Sequence, residues 1–109
     1  MKKIFISQPM NGLSEEEILK TRQAALAEAR KILNEDVTEV DSYFKEAKES
    51  ALQDVFAGLS GLYYLGKSLE KMAEADMVYF CRGWEKARGC KIEQAAAIAY
   101  GVPRLYGDV

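Results

Sequence analysis

The sequence predicts an α/β fold in which helices pack on an open parallel sheet, and three observations carry that expectation. Two apolar runs suited to strands buried on both faces, Lys2 to Ser7 and Met77 to Cys81, alternate with segments of helical period. Alternation of this kind means βαβ units, and therefore a parallel sheet with right-handed crossovers. At 109 residues the chain is expected to form one domain, close to the lower size limit of a complete doubly wound sheet. The fold is thus expected to be trimmed, or completed by a partner subunit.

The first strand, Lys2 to Ser7, is a compact β-branched and aromatic run that Gln8-Pro9-Met10-Asn11-Gly12 breaks. Ser14 followed by Glu17 is a capping box, so a helix is expected to start there and run to about Leu33, with Ile18, Ala25, Leu26, Ala29, Ile32 and Leu33 on its apolar stripe. Asn34-Glu35-Asp36 turns the chain. Val37 to Asp41 alternates as a second strand nearer the sheet edge does. Residues 42–60 have helix-like composition from Phe44 to Phe56, with Gly58 and Gly61 flanking Leu59-Ser60, and read as a helix or a mobile lid. Leu62, Leu65, Leu69 and Met72 recur at helical spacing and predict a helix over 61–74. After the strand from Met77 to Cys81, a helix is expected from about Cys90 to Tyr100, stopped by Gly101 and Pro103. Arg104 to Tyr106 makes a short fourth strand. Asp76 is assigned to a turn or cap, and Tyr63, Tyr64, Tyr79, Tyr100 and Tyr106 to core or interface.

Composition narrows the function classes. Apolar residues make up 49% and charged residues 29%, the balance of a globular protein. A net charge of -2 and a pI near 5.2 supply no general field for a phosphate backbone, which disfavours polymeric nucleic acid as a partner. With no histidine, and two cysteines (Cys81 and Cys90) that fit no zinc spacing, no metal site is expected. Residues 1–10 lack the apolar core of a signal peptide, and no run of about 18 apolar residues offers a membrane span. A cytoplasmic location without membrane contact is expected.

The stretch from Ala75 to Glu93 organises the functional reading. In an open parallel sheet, ligands bind beyond the carboxyl ends of the strands, where free N–H groups and helix N-termini converge. The exits of the first and third strands would set Ser7, Gln8, Pro9 and Met10 beside Gly83, Trp84, Arg88, Gly89 and Cys90, making one crevice with Glu93 at its mouth. A carboxylate in the first helical turn is expected to have a lowered pKa, and an ionised, positioned carboxylate suits attack on an anomeric carbon. From spacing alone the commoner role of such a residue is merely to complement the helix dipole, as many first-turn glutamates do. Arg88 and Gly89 either cradle a phosphate or form a solvated loop. Trp84 either stacks on a base or packs over the sheet end. Gln8 and Asn11 either read a base edge or sugar hydroxyls, or simply turn the chain.

Three segments together resemble the nucleoside 2-deoxyribosyltransferase superfamily. They are Ile6-Ser7-Gln8-Pro9-Met10 after the first strand, Ala75-Asp76 before the third, and Gly89-Cys90-Lys91-Ile92-Glu93 leading into an alanine-rich helix and Gly101-Val102-Pro103. The resemblance implies a flavodoxin-like open parallel sheet of four to five strands with helices on both faces. It also implies an N-glycoside hydrolase or transferase acting on nucleosides or nucleoside monophosphates, with Glu93 as the nucleophile that carries the sugar. Neither a metal nor an organic cofactor is implied, whereas a homodimer or higher homo-oligomer is. Two departures stand out. Active members carry an aspartate that helps protonate the leaving base at the place that here falls near Ser68, with Lys67 beside it. The serine or aspartate that often precedes the glycine is replaced by Ala87-Arg88. The competing reading is a catalytically silent module of the same fold that binds or senses a nucleotide.

Overall fold

Residues 1–43 and 57–109 are described here from a computed structural model. Strand β1 (Lys2–Ser7) leads to helix α1 (Glu15–Leu33) and strand β2 (Val37–Glu39); helix α2 (Ala57–Met72) leads to β3 (Met77–Phe80); a 3-10 turn (Trp84–Lys86), helix α3 (Arg88–Ala99) and β4 (Arg104–Tyr106) complete the chain. All strand pairings are parallel, in the order β2-β1-β3-β4. That is the flavodoxin-like order with four strands among the described residues.

The alternation of strand side chains divides the core between the two faces. Ile4, Ile6, Tyr79 and Cys81 pack with Ala25 and Ala29 of α1, whereas Phe5, Val78 and Phe80 pack with Met72 of α2 and Ala97 of α3. The apolar residues of β1 and β3 in these layers are at most 2% exposed apart from Met77, and each large one stabilises the fold by about 1.5–3 kcal/mol. Helices therefore cover both faces, as the sequence predicts.

Local signals explain most of the boundaries. The Ser14 Oγ accepts the Glu17 N–H at 3.1 Å, the N-cap half of the predicted capping box, and donates to Glu17 Oε1 at 3.1 Å, while Asn34 ends α1 in the left-handed region at φ 54°. Asp76 ties the start of β3 to β1: its Oδ2 accepts the Lys3 N–H at 2.8 Å while its own N–H donates to the Lys3 carbonyl at 2.8 Å. Four elements differ from expectation at their ends. Strand β2 stops at Glu39 instead of Asp41, α2 spans 57–72 instead of 61–74, β3 stops at Phe80 instead of Cys81, and α3 begins at Arg88, two residues before Cys90. Gly58 and Gly61 therefore lie within a helix, because packing of its other residues outweighs the roughly 1 kcal/mol that each glycine costs relative to alanine. The expected helix or lid from Phe44 to Phe56 lies outside the described residues. No helix among the described residues is long and apolar enough to cross a membrane.

One close approach fixes the far side of the sheet. The fully buried Tyr79 hydroxyl donates to Glu28 Oε1 at 2.8 Å, and burial first, then this carboxylate, pushes the phenol above its ordinary pKa. A Cβ on Gly107 would stand 1.8 Å from that hydroxyl oxygen. Gly107→Ala should therefore destabilise the fold by about 1–3 kcal/mol, the usual range for overpacking. Urea unfolding followed by Trp84 fluorescence checks this, and an unchanged midpoint would show that the Gly107 backbone can move away freely.

Candidate functional site

The crevice lies where strand order reverses. From β1 the chain crosses to β2 on one side, and from β3 to β4 on the other, so the carboxyl ends of β1 and β3 open a switch-point cleft. Ser7 pairs with Phe80, and the Cys81 N–H donates to the Ser7 carbonyl at 2.9 Å. The two exit loops touch: a Cβ on Gly83, which holds φ 86°, would meet Pro9 Cγ at 3.7 Å.

Strand parity sends Ser7 to the α3 face and Gln8 to the α1 face. The Ser7 Oγ donates to Glu93 Oε1 at 2.7 Å. Glu93 belongs to the inward stripe of α3, Cys90-Glu93-Ala97, and is 7% exposed. Burial pushes its carboxyl up to about 7, against the Ser7 hydrogen bond and the Arg22 guanidinium, which both favour the charged form. The expected lowering is thus overturned. Because α3 starts at Arg88, Glu93 stands in the second turn, where the dipole fades, and desolvation outweighs what remains.

Beside Glu93 lies a cavity of about 30 Å³, walled by Phe5, Ile6, Gln8, Met10, Arg22, Ser42, Ser68 and Glu93. It has room for water rather than for a sugar ring. Arg22 reaches it from α1, 3% exposed, with Nε donating to Glu39 Oε2 at 2.5 Å, Nη1 to Gln8 Oε1 at 3.2 Å and Nη2 to Ser42 Oγ at 2.6 Å. Gln8 is fixed further by its Nε2, which donates to the Ile18 carbonyl at 2.9 Å. Ser68 of α2, at the position where the resemblance places an aspartate, stands on the same wall.

The structure thus gathers Ser7, Gln8, Met10 and Glu93 from the predicted set. Of these, Gln8, Met10 and Glu93 wall the cavity and Ser7 is bonded to Glu93, whereas Pro9, Gly83, Trp84, Arg88, Gly89 and Cys90 are not on its wall. The Trp84 ring packs at 5.4 Å from the ring centroids of both Phe80 and Tyr106. The Arg88 guanidinium lies over Gly61 of α2, its Nη2 3.2 Å from where a Cβ would be. Cys90 is buried beside Ser7, and desolvation pushes its thiol up to about 11, so it is uncharged at neutral pH. The sequence reading missed Arg22, Ser42 and Glu39. For Arg22 a signal existed: it falls between Ile18 and Ala25 at helical spacing, in the middle of the apolar stripe.

The sequence pattern of a family described as a domain of unknown function (DUF4406) matches residues 2–106. The chain belongs to the DUF4406 family. The match covers the four strands of the described residues, both exit loops and Glu93, and stops just before Gly107. No curated protein and no solved structure matches this DUF4406 chain.

Proposed function

We propose that this DUF4406 protein is an N-glycoside hydrolase or transferase acting on nucleosides or nucleoside monophosphates, with Glu93 as nucleophile. The observation that carries the reading is a single buried carboxylate, held by Ser7 at 2.7 Å, at the switch point of a flavodoxin-like sheet. The resemblance to the nucleoside 2-deoxyribosyltransferase superfamily supplies the chemistry. A Glu93 oxygen attacks C1′, the C1′–N bond breaks with its electron pair leaving on the base, and the base takes up a proton from water. Water or a second base then attacks C1′ and gives up a proton to solvent, while the bond from C1′ to the Glu93 oxygen breaks with its electron pair returning to the carboxylate. Gln8 and Met10 border the base, while Arg88 and the N–H groups around Gly89 hold the sugar or phosphate. Trp84, in the 3-10 turn after β3, borders the base as well. Assembly as a homodimer or higher homo-oligomer, and a cytoplasmic setting, belong to the same proposal.

A second reading, a silent nucleotide-binding or sensing module, draws on two observations. The cavity is water-sized, and the wall position that the resemblance gives to a proton-donating aspartate is Ser68. Under the enzyme reading the substrate displaces Met10, the exposed member of that wall.

Incubation with a panel of nucleosides and monophosphates, followed by chromatography for free base, separates the two. Base release by the native protein and its loss in Glu93→Ala support the enzyme. Release at the native rate in Glu93→Ala overturns the nucleophile, thermal stabilisation without release favours the module, and neither response overturns both readings.

A further inference from the structure

Arg22 belongs to α1, which covers the opposite face of the sheet from α3, yet it walls the same cavity as Glu93. An arginine this buried needs a reason. Three acceptors on three different segments hold it: Glu39 at the end of β2, Gln8 after β1 and Ser42 beyond β2. Glu39 satisfies part of its charge, but the Glu39 side chain is 29% exposed, so water screens that partner more than it screens the guanidinium, whose side chain is 4% exposed. The Arg22 side chain forms part of the wall of the Glu93 cavity.

We propose that Arg22 is a positioning residue: clamped by Glu39, Gln8 and Ser42, it projects fixed positive charge into the Glu93 cavity and keeps that carboxyl able to ionise there. The inference rests on the proposed reaction only in taking Glu93 as the reacting group. Among the described residues, the other groups around the carboxyl bring no charge to compete with it. Ser7 from β1 donates a hydrogen bond, Ser68 from α2 and Ser42 are neutral, and Cys90 on α3 keeps its proton at neutral pH. The Lys67 ammonium, next to Ser68, lies over the Tyr63 ring at 5.5 Å. Arg22 is therefore the cation of the wall among the described residues, and its field opposes the desolvation that burial imposes on Glu93.

The test needs no substrate. Protein labelled with 13C at the glutamate carboxyls is titrated by NMR, and Glu93→Gln identifies the Glu93 signal. Arg22→Met should raise the Glu93 midpoint by on the order of one pH unit, and Arg22→Lys, which keeps the charge, should leave it near the native value. Glu39→Gln removes the counter-charge without emptying the cavity wall and should lower the midpoint, so a variant remains if Arg22→Met does not fold. A residue that merely clamps three segments together would lower melting temperatures in these variants and leave the midpoint where it was; that result overturns the proposal. Shifted midpoints in a protein that releases no base would keep the role of Arg22 and discard the reaction.

Discussion

Glu93→Gln is expected to make the protein more stable above pH 7, by up to about 3 kcal/mol, and to leave it little changed near pH 4.5. The native carboxyl holds its proton up to about pH 7 when folded, against an ordinary value of 4.5. Between those values the folded state binds more protons than the unfolded chain, so stability falls as pH rises, at about 1.4 kcal/mol per unit, and levels off once the folded protein has ionised. The stabilising share is therefore complete below about 4.5 and gone above about 7. Glutamine keeps an oxygen to accept from Ser7 and never charges, so the difference between the two proteins isolates this one group. Urea unfolding of both from pH 4 to 9 measures it. A gap that does not widen between pH 4.5 and 7 would mean that the carboxyl is solvated in the folded protein.

A cost of that size at one side chain is what a site, rather than a scaffold, tolerates. The rest of the α3 stripe, Cys90 and Ala97, is apolar and buried, and an alanine or leucine at 93 would continue it without any pH-dependent cost. Among the described residues the hydrogen bond to Glu93 comes from Ser7, at 2.7 Å, and the Glu93 side chain forms part of the cavity wall. Glu28 differs in its surroundings: its Oε1 accepts from both the Tyr79 hydroxyl and the Asp108 N–H, at 2.8 and 2.9 Å, and it lines no part of the Glu93 cavity.

The fold was legible in the sequence wherever the signal was local. Ser14 and Glu17 stand three residues apart and make the cap they announce, and the parity of Ile4, Phe5 and Ile6 assigns each to a face without knowledge of the partner strand. The crevice followed from topology, since any parallel sheet with this element order brings the exits of β1 and β3 together. The electrostatics of the site did not follow. The Ser7–Glu93 hydrogen bond spans 86 residues, and whether desolvation or the helix dipole governs a carboxyl depends on how deeply its helix docks. Even so, the spacing of Cys90, Glu93 and Ala97 as one stripe was present in the sequence and marked Glu93 as an inward residue. Arg22 carried the same mark between Ile18 and Ala25. A charged residue set within an apolar stripe identifies burial, and burial of a charge identifies a partner. By contrast, nothing local to Gly107 announces Tyr79.

The pH dependence of base release decides what kind of group Glu93 is. A nucleophile must be ionised, so for a nucleoside substrate kcat/KM should rise about tenfold per pH unit below 7 and become flat above it, close to a hundredfold between pH 5 and the plateau. The inflection reports the free protein and should coincide with the Glu93 titration, near 7. If Glu93 instead delivered a proton to the departing base, the same pKa would give the mirror image, with activity complete at low pH and falling above 7. Nucleosides rather than monophosphates are the right probe, because a phosphate ester has its own second ionisation near 6 and would superimpose a limb of its own. The slow acid-catalysed loss of base in protein-free blanks runs in the opposite direction to the predicted limb and is subtracted. A rising limb that moves upward in Arg22→Met and stays in place in Arg22→Lys would tie the rate to the charge on both sides of one cavity, whereas a descending limb would assign Glu93 to acid catalysis and leave the nucleophile to be sought in water.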